Sequence, residues 1–186
     1  PEHNVTIPFT RGLLGEMDFT PGGFRHKTIE NFKYDESKPG PFVMGTRCHQ
    51  LAMMVVFESA LQVLCDSPFS YRSSPAGLDF LKIVPTTWDE TQVVHGKIGD
   101  YVSIARRSGK EWFVGTMTDR DSRMLDIPLN FLPNGKYKAI IWTDAYDADE
   151  YPDRLMKQEL VVTSKDKITA NMVGGGGHVV HIFPVE

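Results

Sequence analysis

Residues 46–64 carry apolar side chains around almost the whole circumference of a helix, and this pattern constrains the fold more than any other. The apolar positions are Leu51, Met53, Met54, Val55, Val56, Phe57, Leu61 and Leu64. Thr46 has the hydroxyl group that caps a helix N-terminus, so we predict one helix from Thr46 to about Leu64. A helix that is apolar on most sides is buried on most sides. Other segments must supply its partners.

The first 85 residues contain too little regular structure to enclose this helix. We predict a helix from Pro8 through Phe9, Leu13 and Leu14 that Gly15 ends, a short buried strand at Met17–Phe19, a long loop at 25–45 with turns at Pro39-Gly40 and Gly45, and a short helix at 76–83. A single strand needs neighbours to satisfy its backbone. We therefore expect this part to be the end of a larger α/β domain that begins upstream.

After Pro85 the apolar pattern changes to the alternation that is typical of strands. The alternating residues are Val102 and Ile104; Leu125, Ile127 and Leu129; Tyr137, Ala139 and Ile141; Leu160 and Val162; and Val180 and Ile182. Ser108-Gly109 and Asn134-Gly135 are typical of hairpin turns. Short strands at this spacing predict an antiparallel β-sandwich. The boundary between the two parts is expected near residues 85–90.

Composition excludes some functions. The chain has 186 residues and a formal net charge of -4, which argues against nucleic acid as a partner because its phosphates need a basic surface. The most apolar run, Leu51–Phe57, is far shorter than the roughly 20 residues of a membrane span. The first residue is Pro1 rather than Met, so we expect the native N-terminus to lie upstream. Cys48 and Cys65 are expected to be free thiols.

Asp18 stands between a strand-like segment and the turn Pro21-Gly22-Gly23. A strand that ends in an acid and then turns sharply is how a barrel enzyme holds an acidic side chain at the mouth of its active site. The same arrangement also suits an aspartate that caps its own turn. Both interpretations stay open from the sequence alone.

Several long blocks resemble glycoside hydrolase family 97. They are PEHNVTIPFTRGLLGEMDFTPGGF, GTRCHQLAMMVVFESALQVLCDSP, VPTTWDETQVVHGKIGDYVSIARR, WFVGTMTDRDSR and GGGGHVVHIFPVE. The resemblance implies an α/β plus all-β chain: residues 1–87 as the terminal segment of a (β/α)8 barrel with Met17–Phe19 as its final strand, and residues 88–186 as an antiparallel β-sandwich that can mediate homo-oligomer contacts. It also implies a periplasmic or secreted bacterial enzyme.

The activity implied by the resemblance is exo-acting hydrolysis of terminal α-linked sugars from oligosaccharides, with α-glucosidase first and α-galactosidase as the alternative. The catalytic glutamates and the ligands of a calcium ion are expected upstream, so no catalytic or metal-binding residue is expected in this chain. Asp18, Glu2 and His3 are the candidates for substrate binding. The chain alone is expected to be inactive, and its partners are expected to be the upstream barrel and N-terminal domain.

Other residues of the sequence suggest further functions. Trp112 and Trp142 suggest an alternative, a non-catalytic carbohydrate-binding or assembly module in which exposed indoles stack on sugars. His178 and His181 are three residues apart, so on a strand they face opposite sides and do not chelate one ion. Gly174–Gly177 is interpreted as a flexible hairpin turn. The acidic residues between Asp144 and Asp153 are interpreted as a solvated loop, since they lack the pattern of a calcium-binding loop.

Overall fold

The structure, a computed structural model, describes residues 1–28, 30–33, 37 and 42–185. In the residues described before the large sheet there are four short helices and two very short strands. They are α1 (Glu2–Thr6), β1 (His26–Lys27), β2 (Val43–Met44), α2 (Arg47–Val56), α3 (Pro68–Ser73) and α4 (Leu78–Leu81). Two 3₁₀ turns, Ile7–Phe9 and Arg11–Leu14, follow α1. β1 and β2 pair in parallel.

The second part is an antiparallel β-sandwich, as predicted. Its strands are β3 (Glu90–Lys97), β4 (Tyr101–Ser108), β5 (Glu111–Thr118), β6 (Arg123–Pro128), β7 (Tyr137–Asp144), β8 (Leu155–Val162), β9 (Lys167–Met172) and β10 (Gly177–Pro184). Six of them form one sheet in the order β3-β4-β5-β10-β7-β8, and β6 pairs with β9 in a second sheet. All of these pairings are antiparallel.

The central strands of the large sheet are buried on both faces because their side chains alternate between two covers, whereas much of the edge strands β3 and β8 is exposed. One face, which includes Phe113 and Val179, shares a core with the residues of α2. The opposite face, which includes Ile141 and Val180, shares a core with Ile127 of β6 and other residues of the small sheet. The helix of the first part and the sheet of the second part therefore have one common core across residue 87.

α2 has the predicted cap but not the predicted length. The Thr46 hydroxyl accepts a hydrogen bond from the backbone N–H of His49 at 3.1 Å, and every residue of α2 is buried. The helix ends at Val56, because Phe57 has extended backbone angles and its ring packs edge-on against Phe19. The predicted extension to Leu64 is wrong. The apolar residues beyond Val56 belong to a separate extended segment.

Other local predictions were also partly wrong. The helix predicted from Pro8 is a pair of 3₁₀ turns, and Leu13 and Leu14 are exposed. The helix predicted at 76–83 is the shorter α4, and α3, which Ser67 caps, was not predicted. The turn predicted at Pro39-Gly40 lies outside the described residues.

The two predicted hairpin turns have different outcomes. Ser108-Gly109 connects the paired strands β4 and β5, so this prediction is confirmed. Asn134-Gly135 connects β6 to β7, which lie in different sheets, so it is not a hairpin. Cys48 and Cys65 are free thiols, as predicted. In the described part of the chain, no helix is long and apolar enough to cross a bilayer.

Candidate functional site

Two extended segments flank α2 in the chain and run parallel to each other. They comprise residues 17–21 before the helix and residues 58–65 after it. The contacts are Met17 N to Glu58 O at 2.9 Å, a parallel bridge between Phe19 and Gln62, and Cys65 N to Pro21 O at 3.1 Å. A parallel pair needs a crossover connection, and α2 provides it. Met17–Phe19 is thus bridged at one residue rather than a regular strand, and it is not the last extended segment.

The turn after Asp18 is held by side chains from two helices. The Gln50 side-chain oxygen on α2 accepts hydrogen bonds from the backbone N–H groups of Gly22 and Gly23, at 3.2 and 3.3 Å. The Tyr71 hydroxyl on α3 donates to the Gly22 carbonyl at 2.8 Å. Polar backbone groups of a buried turn need such partners. The turn therefore has a fixed conformation.

A second set of contacts fixes Phe24 at the end of the turn. Asp66 accepts a hydrogen bond from Phe24 N at 3.1 Å and forms an ion pair with Arg25. Burial raises the pKa of Asp66, but hydrogen bonds from Ser70 and other donors outweigh that effect, so its pKa lies below the usual value. Asp66 is therefore held as a carboxylate.

Arg47 contributes the deepest charge near the turn. Its guanidinium group donates to Phe24 O at 3.1 Å and lies over the Phe24 ring at 3.8 Å. Its Nε donates to His26 Nε2 at 2.8 Å, so this imidazole nitrogen is an acceptor and His26 is neutral. Burial, followed by the Arg47 charge, lowers the pKa of His26 to about 3. Burial also lowers the pKa of Arg47 to about 10.

Asp18 itself is exposed and lines an open groove with Glu16, Met17, Ser59 and Leu61. Among the described residues, no hydrogen bond or ion pair reaches the Asp18 carboxylate. The alternative that Asp18 caps its own turn is therefore not supported by the geometry. Its side chain is available to a ligand in the groove.

Glu2 and His3 lie on α1 and are also exposed. The Glu2 carboxylate forms an ion pair with Arg120, in the loop after β5. Within the described ranges, no hydrogen bond or ion pair joins Glu2 or His3 to Asp18. The structure thus does not bring the three predicted substrate-binding residues into contact, and Glu2 already has a partner on the sandwich.

Among the described carboxyl groups for which a pKa shift is resolved, Asp144 is the one whose pKa is raised, and the sequence analysis did not identify it. Asp144 is the last residue of β7 and is buried, so its assignment to a solvated loop is wrong. Its Oδ2 accepts hydrogen bonds from the backbone N–H groups of Val173 at 3.2 Å and Gly177 at 3.1 Å. Burial raises the pKa of Asp144 to about 7, although these donors oppose the rise. The available signal was the pair Ile140 and Trp142, apolar residues that share a face of β7 with Asp144.

The glycine run 174–177 is a packed crossover between the two sheets, not a flexible hairpin. β9 and β10, which it connects, do not pair with each other. A Cβ on Gly177 would fall against the backbone of Cys48 and His49 in the first turn of α2. The prediction was wrong because Cys48 and His49, the residues that restrict Gly177, lie more than a hundred positions earlier in the chain.

His49 links this crossover to α1. Its Nε2 accepts a hydrogen bond from the Asn4 amide nitrogen, and its Nδ1 donates to the Gly176 carbonyl, each at 3.0 Å. The two bonds select one neutral tautomer. Burial lowers the pKa of His49 to about 4, although the bond to Gly176 opposes this change. The site is therefore structural and neutral.

The remaining candidates are part of the core. Trp112 and Trp142 are both buried, so neither offers a face on which a sugar can stack, and the carbohydrate-platform alternative lacks its basis. His178 and His181 face opposite sides of the sheet, as predicted: His181 stacks on Phe113 in the core beneath α2, and His178 neighbours Val180 in register with the other face. In the described ranges, no group of three or more His, Cys, Asp or Glu residues is arranged to hold a metal ion.

The fold is an antiparallel β-sandwich covered on one face by α2, a helix flanked by two parallel extended segments. The model of the family described as glycosyl-hydrolase 97 C-terminal, oligomerisation, matches residues 87–183. This match covers more than half of the chain. The chain therefore belongs to glycoside hydrolase family 97.

Individual relatives extend the similarity over the first part. The chain is 35% identical over 181 residues to a retaining alpha-galactosidase of Bacteroides thetaiotaomicron, covering 97% of this chain and 27% of that protein. It is 31% identical over 176 residues to a probable retaining alpha-galactosidase of Streptomyces bingchenggensis, covering 95% and 25%. A solved family 97 enzyme in complex with panose, from Pseudoalteromonas sp., matches with a TM-score of 0.88 and 32% identity, covering 100% and 29%. The chain thus spans about a quarter of the length of these relatives.

Proposed function

We propose that the chain is the C-terminal part of an exo-acting α-glycosidase that removes terminal α-linked sugars from oligosaccharides. The observation that carries this proposal is membership of glycoside hydrolase family 97. The names of two curated relatives favour α-galactosides and a retaining course. The α-glucosidase activity that the sequence resemblance put first is the alternative. Secretion or a periplasmic location belongs to the same proposal.

The first part of the chain is proposed to be the end of a (β/α)8 barrel. Two features support this proposal. The parallel segments 17–21 and 58–65 are joined by α2, and several apolar side chains of this part are exposed to solvent. Leu14 and Leu61 are 83% and 77% exposed, and Val63 is half-exposed. A run of exposed apolar residues marks a surface that another element covers. Neighbouring barrel units upstream are the proposed cover.

In this proposal Asp18 lines the sugar site. Barrel active sites lie at the carboxyl ends of the strands, and Asp18 precedes a turn that Gln50 and Tyr71 hold in place. Glu2 and His3 are secondary candidates. Glycoside hydrolysis uses a pair of carboxyl groups, and we propose that this pair and the ligands of a calcium ion come from upstream segments. The described residues do not by themselves form a calcium site.

The test uses the full-length protein and the variant Asp18→Asn. We expect hydrolysis of nitrophenyl α-galactoside to exceed that of the α-glucoside, and we expect Asp18→Asn to lower kcat/KM by roughly tenfold or more, the effect of one lost substrate contact of more than about 1.4 kcal/mol. Asp121→Asn, which makes the same substitution at an exposed acid in the loop between β5 and β6, is the matched control and should retain activity.

Three results would contradict the proposal. Hydrolysis of neither substrate by the full-length protein would refute the glycosidase assignment. Equal kinetics of wild type and Asp18→Asn would remove Asp18 from the sugar site. Hydrolysis by residues 1–186 alone would place the catalytic pair within this chain.

A further inference from the structure

β8 is an outer strand of the six-stranded sheet, and β3 is the other. An outer strand offers unpaired backbone N–H and C=O groups to another chain unless something protects it. The two edges differ in this respect. β3 contains a register irregularity between Val93 and His95, which is a protective device. β8 pairs with β7 in unbroken register from Leu155 to Val162.

The side chains of β8 are also unusual for a free edge. Met156, Leu160 and Val161 are exposed, with Val161 at 70%. Exposed apolar residues on a long regular edge are typical of a strand that pairs with another chain. Its two charged residues, Lys157 and Glu159, have opposite signs and lie on either side of Gln158.

The sequence of β8 is complementary to itself in the antiparallel direction. Residues 155–161 read LMKQELV. If a second copy is placed antiparallel with Gln158 opposite Gln158, the three flanking pairs are Lys157 with Glu159, Met156 with Leu160, and Leu155 with Val161. Each pair is either oppositely charged or apolar on both sides, and cross-strand pairs of these kinds stabilise a sheet.

The backbone of β8 suits the same register. Ala145 N donates to Arg154 O at the end of the β7–β8 ladder. Because hydrogen-bonded and non-hydrogen-bonded positions alternate along an antiparallel pair, Lys157 and Glu159 direct their backbone groups to the free edge. They are therefore the residues that exchange hydrogen bonds with Glu159 and Lys157 of a second copy.

We infer that β8 pairs with β8 of a second copy of this chain around a two-fold axis at Gln158, so that one sheet continues through both subunits. A two-fold axis uses the same patch on both subunits and needs such self-complementarity. The matched family is described as an oligomerisation region, and this inference gives that role a strand, a register and a symmetry. It does not depend on the substrate or activity of the full-length enzyme.

The charges of β8 already have partners within the chain. Lys157 pairs with Asp79 and Glu159 pairs with Lys138, each at 2.6 Å. In the dimer each charge gains a second opposite charge across the axis. Because these ion pairs lie within one subunit, charge reversal can distinguish a role of Lys157 and Glu159 in the dimer from a role inside one subunit.

The first experiment is sedimentation velocity of the full-length protein over a range of concentrations. In the proposed register Val161→Lys replaces the apolar pair of Leu155 and Val161 by an apolar–charged pair on both sides of the axis, and we expect it to raise the dimer dissociation constant about tenfold or more. Val93→Lys is the matched control, because Val93 is 67% exposed on the opposite edge strand. It should leave the dissociation constant unchanged. Hydrolytic activity should be retained in both, which separates this test from that of the glycosidase.

The second experiment reverses the charges. Glu159→Lys opposes two lysines at both symmetric pairs and should weaken the dimer, whereas Lys157→Glu combined with Glu159→Lys restores opposite charges between subunits and should recover it. If these residues act only within one subunit, the double variant breaks both internal pairs and is the worse of the two. The inference would be overturned by a double variant that dimerises more weakly than Glu159→Lys. It would also be overturned by a monomeric wild-type protein, or by Val93→Lys weakening the dimer as much as Val161→Lys.

Discussion

The buried carboxylate of Asp144 accepts a hydrogen bond from the backbone N–H of Gly177, at 3.1 Å. The contact joins the end of β7 to the beginning of β10, directly beneath the first turn of α2. Burial raises the pKa of Asp144 to about 7, whereas an unfolded chain has an ordinary aspartate. The junction between sheet and helix therefore contains a group that titrates in the physiological range.

Asp144 is expected to make the protein less stable as pH rises. Because its folded pKa exceeds the unfolded value, the folded state holds the proton more tightly between about pH 4 and 7. The stability that the raised pKa of Asp144 contributes is fully present below about pH 4. It is lost as pH rises from about 4 to 7, by on the order of 1 kcal/mol per pH unit. We predict that Asp144→Asn gains stability relative to wild type from pH 5 to pH 8 in urea unfolding.

The control for Asp144 is Asp149→Asn, an exposed acid on the loop after β7. It should leave the pH profile of wild type unchanged. A constant difference between wild type and Asp144→Asn across this pH range would contradict the assignment of the shift to Asp144.

Two buried histidines, His49 and His178, and the half-buried His26 affect stability in the opposite direction. Burial lowers the pKa of His26 and His178 to about 3 and that of His49 to about 4. The unfolded chain takes up protons below about pH 6.5, so these residues contribute stability above that pH and lose it as pH falls towards 4, each by on the order of 1 kcal/mol per pH unit. We predict a net loss of stability from pH 6.5 to 4.5.

The histidine prediction is tested with His178→Gln. This variant should show a shallower loss of unfolding free energy between pH 6.5 and 4.5, measured by urea titration at several pH values. His3→Gln, which changes an exposed histidine, should keep the wild-type slope. Identical slopes for all three proteins would mean that His178 is not neutral when folded.

Removal of the Thr46 cap should destabilise α2 and the sheet together. Thr46→Ala leaves the His49 N–H without its acceptor and should reduce the free energy of unfolding by about 1 kcal/mol. Thr46→Ser keeps the hydroxyl group and should retain most of the stability. Circular dichroism during urea unfolding measures both. Equal losses in the two variants would show that the methyl group, rather than the cap, is responsible.

Gln50 should position the turn that follows Asp18. Gln50→Met keeps the side-chain length but removes the acceptor of Gly22 and Gly23, and leaving a buried donor unpaired costs about 1–3 kcal/mol. We predict a lower unfolding midpoint and, in the full-length enzyme, a lower kcat/KM. Gln92→Met, the same substitution on the edge strand β3, should change neither. A loss of stability with unchanged kinetics would restrict Gln50 to a structural role.

The sequence predicted those elements whose signals are local. The alternation of Tyr137, Ala139 and Ile141 predicts β7, and the Thr46 hydroxyl predicts the start of α2. The end of α2 was missed because Leu61 and Leu64 fall in helical register although they belong to an extended segment. Asp144 and Gly177 were assigned to loops because the groups that bury them come from distant parts of the chain, which a local pattern does not report.

The position of α2 has a consequence for how this sandwich was inherited. Phe113, Met117 and Val179 pack against α2, a helix that ends at Val56, well before the first sandwich strand begins at Glu90. A gene fragment that begins at residue 87 would encode a sheet with one apolar face exposed to water. If this domain is transferred between genes, we expect α2 to be transferred with it. The sandwich alone is not a suitable unit for such a transfer.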